Sequence, residues 1–140
     1  MSEQIINRSC VFAVTQVSNE FACEYGELVT RRAGPDIECH SEVMCKKCHL
    51  VHDEFKQVGL DAFDYEDDLT QVPYGVWMKI QFGGLLGLQA RISNAADTKN
   101  INNIGQLING AESYYKTLDE IPYSDLVPSM KSYRNRSKRR

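Results

Sequence analysis

A chain of 140 residues, 42% hydrophobic and 25% charged, is long enough for one domain with a real core and too apolar to be disordered. No apolar run approaches the roughly 18 residues of a membrane span, and Glu3 and Arg8 break any basic-then-apolar export pattern, so an intracellular protein with no membrane contact is expected. The net charge of −3 hides a segregation: the last ten residues hold six Lys/Arg and no acid, which leaves −9 for residues 1–130.

Residues 2–17 carry Ile5, Phe12, Ala13 and Val17 near helical spacing, although Val11, Val14, Thr15 and Val17 also suit a strand. A helix is the favoured reading, with Cys10 as a small core residue. Over 19–33 the positions Phe21, Tyr25, Leu28, Val29 and Arg32 predict a second helix, stopped by Gly34-Pro35. Cys23 lies off that stripe and is a reserve metal ligand.

The stretch from Cys39 to His52 dominates the rest. Six of its fourteen residues are Cys or His, including all three histidines and three of the five cysteines. Such crowding is what a metal site needs. Seven residues of helix would put Cys45 and His52 roughly 10 Å apart, too far to share an ion. Cys45 is therefore expected in a turn, with a helix from about 46 to 58 carrying Cys48 and His52 one turn apart. Cys39 would come from the extended segment before it. The expected site is one zinc ion held by Cys39, Cys45, Cys48 and His52, with His40 and His49 in reserve. Lys46 and Lys47 would help keep the thiols deprotonated.

Other chemistries fit the stretch less well. Cys45-Lys-Lys-Cys48-His49 has the CxxCH pattern of haem c attachment, which needs an exported chain. A redox CxxC opens a helix in a βαβ unit, and no such unit is evident. His40-Ser41-Glu42 before Cys45-x-x-Cys48 has the residue types of a zinc deaminase site. Only Val43 and Met44 separate the halves, which leaves no room for the two helices that such a site requires.

Residues 59–75 hold Asp61, Asp64, Glu66, Asp67 and Asp68. A calcium loop opening at Asp64 would need glycine at its sixth position and glutamate at its twelfth; Leu69 and Gly75 stand there. A solvated acidic loop, tacked down by Leu60, Phe63, Tyr65 and Leu69, is expected. Val76 to Phe82 reads as a short strand or a first helical turn. Gly83-Gly84 and Gly87 lack the Gly-Lys-Ser/Thr of a phosphate loop, so they point to close backbone packing. Helices over 85–96 and 98–118 should form a hairpin, the second capped by Asp97 and bounded by Pro122. Pro122 to Met130 should be a loop, with Ser129 capping a short last turn.

The expected fold is mainly α, with α+β as the variant: one small domain over residues 1–130, a zinc-stapled turn, a C-terminal helical hairpin, then a basic tail over 131–140. Lys131, Arg134, Arg136, Lys138, Arg139 and Arg140 would neutralise phosphates and Tyr133 would stack on a base. No residue stands out as catalytic. The expected function is that of a zinc-binding accessory protein acting on nucleic acid or a nucleic-acid-associated complex. Two alternatives are an assembly subunit that binds protein neighbours, and a zinc hydrolase or nuclease using His40, His49 or Glu42 around an open metal position.

Overall fold

Residues 26–33, expected to be helical, instead pair with the expected extended segment that follows them, forming a β-hairpin from Gly26 to Cys39 in the computed structural model, which describes residues 9–17, 21–65, 72–93 and 101–133. Strands β1 (Gly26–Arg31) and β2 (Gly34–Cys39) pair antiparallel, with Gly26 opposite Cys39 and Arg31 opposite Gly34. Arg32 and Ala33 make the turn, and Gly34 takes φ +124°, a conformation that side chains resist. The Gly34-Pro35 pair does break the chain, but between two strands. Leu28, which a helix would have buried, is 65% exposed. The inward members are on β2, where Ile37 and Cys39 are buried. The Arg31 guanidinium bonds Asp36 at 2.7 Å, and Ser9 donates to the same carboxylate at 2.7 Å. Ser9 to Val11 thus runs beside β2, with the Cys10 N–H on the Ile37 carbonyl. Among the described residues of the expected first helix, Ala13–Val17 are helical (α1); residues 1–8 lie outside the described residues.

Helix α2 spans Glu42–Ala62 and begins four residues earlier than expected. The cause is Ser41, whose hydroxyl accepts the Met44 N–H at 3.1 Å while its carbonyl accepts the Cys45 N–H at 2.8 Å. Cys45 is therefore inside the helix and not in a turn. Gly59 does not end α2, because its bare backbone meets Ile80: a Cβ there would stand 2.6 Å from that side chain. Asp64, with φ 65°, follows the end of the helix. Phe63 and Tyr65 are partly buried against the core, and Glu66 to Asp68 and Leu69 lie outside the described residues.

Helix α3 (Tyr74–Ser93) runs straight through the glycines. Apolar residues surround it, as suits a helix covered on all sides; Met78, Ile80, Phe82, Leu85 and Leu88 are all buried. It packs on α2, on α4 (Ile104–Tyr115) and on α5 (Val127–Ser132). Asn103 caps α4, its side chain accepting the Gln106 N–H; the expected cap, Asp97, lies outside the described residues. Two 3-10 turns, Leu118–Glu120 and Tyr123–Leu126, lead to α5, which Pro128 helps to start. The described residues thus form a mainly helical single domain with one small two-stranded sheet. None of their helices is long and apolar enough to cross a membrane.

The glycines of α3 serve close packing. A Cβ on Gly83 would strike the Met130 backbone, one on Gly84 would stand 2.8 Å from the Phe55 ring, and one on Gly87 would stand 2.8 Å from the Ser129 hydroxyl. Gly75, near the start of α3, faces open space. Gly83→Ala should therefore cost about 1–3 kcal/mol through overpacking against backbone. Gly75→Ala should gain up to about 1 kcal/mol from helix propensity and a less free unfolded chain. Urea unfolding of the two variants measures both, and equal effects would refute the assignment.

Candidate metal centre

The cysteines are carried by separate local devices, and the devices converge. Cys48 and Cys45 lie one turn apart on α2, facing inward. Cys39 ends β2 opposite Gly26, at the open end of the hairpin. Cys10 is held against β2 by its own N–H on Ile37. Cys23 is fixed beside the start of α4: Ala22 donates to the Ile101 carbonyl and accepts from the Ile104 N–H, and Glu24 donates to the Asn103 side chain. All five cysteines line one cavity of about 10 Å³, closed by residues that include Met44, Tyr25 and Ile104. None of the five is in a disulfide.

The sulfurs are buried but not bare. Cys10 accepts a bond from Gln16 Nε2 at 3.2 Å, and the nearby Phe12 backbone also favours its charged form. The backbones of Tyr25 and of Gly105, in the first turn of α4, favour the charged form of Cys23. Gly105 is needed there: a Cβ would stand 2.7 Å from the Tyr25 ring and 3.4 Å from the Cys23 sulfur. Cys39 donates its S–H to the Ser41 carbonyl at 3.4 Å. Burial pushes the Cys10 thiol up to about 12 and raises Cys48 and Cys23, and the neighbouring thiols raise all three further. Without an ion these groups are neutral and pack as small hydrophobes. Among the described residues, no three Cys, His, Asp or Glu side chains already stand around one point as a ligand set.

The expected ligands divide. Cys39, Cys45 and Cys48 reach the cavity, and Cys23, held in reserve, joins them. Cys10, read as core, is the fifth member. His52 does not line the cavity. Its ring stacks on Trp77 (centroids 6.1 Å, 11°) and meets Phe12 edge-on at 5.5 Å. His40 is exposed and bonds Glu27 at 2.7 Å, and His49 is exposed on the outer side of α2. The lysines do not serve the thiols as expected. Lys46 points to Glu42 at 3.8 Å, an exposed pair of little worth, and Lys47 bridges to Glu112 (2.7 Å) and Asn109 (3.0 Å) of α4. No family model, curated protein or solved structure matches the chain.

Near the C-terminal end of the described residues, Tyr133 is not available to stack on a base. Its ring lies flat on Phe82 (centroids 5.0 Å, 8°), and its carbonyl accepts from Lys79 Nζ at 2.7 Å. Lys131 sits over the Phe63 ring at 5.9 Å. Arg134, Arg136, Lys138, Arg139 and Arg140 lie outside the described residues.

His52 has its own consequence. Burial lowers its pKa from 6.5 to about 4, so the folded protein keeps it neutral where the unfolded chain protonates it. The unfolded state then binds more protons between pH 6.5 and 4, and stability falls as pH falls through that window. At 1.36 kcal/mol per pH unit the loss is about 3 kcal/mol. Unfolding measured at pH 7 and pH 4 should show His52→Leu losing less than the parent by about that amount. Parallel losses would show that His52 is not the group that titrates.

Proposed function

We propose that this chain is a small zinc-binding accessory protein whose ion is held by thiolates and has no catalytic role. The observation that carries the reading is the convergence of all five cysteines, from separate parts of the chain, on one cavity. Composition does not require this: five small hydrophobes could have been scattered through the core. Zinc is the ion that favours a tetrahedron of thiolates. The cavity is small, with room for about one water-sized sphere, which is compatible with a single ion.

A hydrolytic reading has less support. An open metal position needs a vacant coordination site and a base near it. Four thiolates fill the tetrahedron. The residues that would act as bases, His40, His49 and Glu42, are exposed on the outside of the hairpin and α2. Haem attachment would need Cys45 and Cys48 at an open surface, and both are buried.

The accessory role rests on charge. Beyond Tyr133 the sequence carries five Lys/Arg and no acid, on a chain whose first 130 residues sum to −9. Such a run attracts polyanions without regard to sequence, and nucleic acid is the expected partner. Because Tyr133 packs against the core, the segment to remove is 134–140.

Purified, reduced protein should contain one zinc per chain by elemental mass spectrometry, and Cys48→Ser should lose it and unfold more readily. A metal-free or porphyrin-bearing native protein would overturn the reading. Separately, full-length protein should bind single- and double-stranded nucleic acid with log affinity falling against log salt at a slope of about −2 to −4. Truncation after Tyr133 should abolish that binding and leave the fold and the zinc intact. Equal binding by both forms would remove the tail from the function.

A further inference from the structure

Strand β1 is an open edge. Among the described residues it pairs with β2 on one side only, and none of its six residues is buried. We propose that β1 docks antiparallel against β1 of a second copy of this chain, joining the two hairpins into one continuous sheet across a two-fold axis. The proposal is independent of the metal-binding reading above and adds a homotypic interface to the molecule.

The register of the hairpin fixes which backbone groups face the edge. Arg31 and Gly34 close a two-residue turn, so they exchange ladder bonds, and by alternation so do Val29 with Asp36 and Glu27 with Glu38. The Tyr25 carbonyl continues that alternation by accepting the His40 N–H at 2.8 Å. Leu28 and Thr30 therefore turn their N–H and C=O groups away from β2. On β2 the same alternation turns the Ile37 carbonyl outward, where the Cys10 N–H meets it. The outer edge of β2 is thus taken by Ser9 and Cys10. The outer edge of β1 has, among the described residues, only the local bond from the Gly26 N–H to the Cys23 carbonyl. Exposed edges are usually blunted by proline, lysine or a bulge. The Gly-Glu-Leu-Val-Thr-Arg of β1 has no proline or lysine, and its pairing with β2 is unbroken.

The side chains choose the occupant and its direction. Glu27 stands near one end of β1 and Arg31 at the other. A parallel second copy would set Glu27 against Glu27 and Arg31 against Arg31. An antiparallel copy centred on Val29 sets Glu27 of each opposite Arg31 of the other, and Leu28 opposite Thr30. That register also joins the outward groups, because each Leu28 exchanges a pair of backbone bonds with Thr30 of the second copy. Centring on Leu28 or on Thr30 keeps such bonds but loses the charge pairs. Leu28 supplies the apolar part. It shares a face with Ile37, its cross-strand partner, yet Ile37 is buried and Leu28 is 65% exposed, so β1 overhangs the body. Across the axis the two Leu28 side chains become diagonal neighbours, about 7–8 Å apart. The basic segment 134–140 is a poorer occupant: its five cations would meet Glu27 but also Arg31 and Arg32. Strands of six residues make a small interface, so the pair is weak and depends on concentration.

The test uses the full, reduced chain as purified. Analytical ultracentrifugation over a series reaching about 1 mM should show a monomer–dimer equilibrium. Amide exchange read by NMR over the same series should slow at Leu28 and Thr30 by about threefold or more as concentration rises. Glu27 and Val29, bonded within the hairpin, should exchange at a constant rate. Thr30→Pro removes an outward N–H and no bond to β2, a place where an edge strand tolerates proline. Leu28→Lys sets like charges beside each other across the axis at a site already exposed. Each should raise the dimer dissociation constant by more than about tenfold. Truncation after Tyr133 should leave association unchanged. A monomer throughout the series, or a dimer in which Leu28 and Thr30 exchange as fast as in dilute protein, would overturn the proposal without any variant having to fold. Slow exchange at both residues at every concentration would overturn it by showing that part of the same chain lies on the edge. Loss of association on truncation would overturn it in favour of a contact made by the tail.

Discussion

Everything in the helical part depends on how close α3 can come to its neighbours. At Gly83 it touches the backbone of α5, at Gly84 the face of Phe55 on α2, and at Gly87 the Ser129 side chain. Three glycines within five residues weaken an isolated helix by about 1 kcal/mol each relative to alanine. Here that loss is offset because the approach seals Ile80, Phe82, Leu85 and Leu88 from water. Full burial of one such side chain is worth about 1.5–3 kcal/mol. The close docking also turns α2 so that Cys45, Cys48 and Phe55 face inward while His49 and Leu50 face out. The cysteine cavity is thus set by the same contact that sets the core.

The strongly periodic part of the fold is legible in the sequence. Ile104, Leu107, Ile108 and Ala111 mark α4 plainly, and Val51 and Phe55 mark α2. The glycines of α3 read correctly as packing devices, but the helix through them does not, because propensity counts against it and only the neighbours reverse the sum. The hairpin is hidden for a related reason. Phe21, Tyr25 and Leu28 do fall at helical spacing, yet Phe21 pairs with Ile101, far away in sequence, and Leu28 faces solvent. A strand's stability lies in its partner, and β1 has nothing in its own residues that names β2.

The site is legible where it is local and illegible where it depends on the hairpin. Cys39, Cys45 and Cys48 stand out as a cluster. Cys10 and Cys23 lie 38 and 25 residues before Cys48 and reach the cavity only because Ser9 to Val11 follows β2 and Ala22 hooks onto the approach to α4. Without the hairpin there is no reason to unite them. One signal is present in the sequence and easily undervalued: all five cysteines fall within the first 48 residues. His52 misleads in the opposite way. Its spacing from Cys48 suits ligation, but one turn along the helix also rotates it onto a flank, where Phe12 and Trp77 enclose it.

Helix α2 belongs to two neighbourhoods at once. Its 21 residues extend about 30 Å. The early turns face the cysteine cavity and the hairpin, while Phe55, Gly59 and Leu60 are locked into the helical core. A rod shared in this way divides the molecule into units of unequal cooperativity. The core end has dense apolar contacts and opens only with global unfolding. The cysteine end has a small sheet and short loops, and it joins the core through Met44 and Cys48. Amide exchange along this one helix would therefore be graded, slow in its last turns and faster in its first. The steepness of that gradient is an internal gauge of how firmly the two halves are joined.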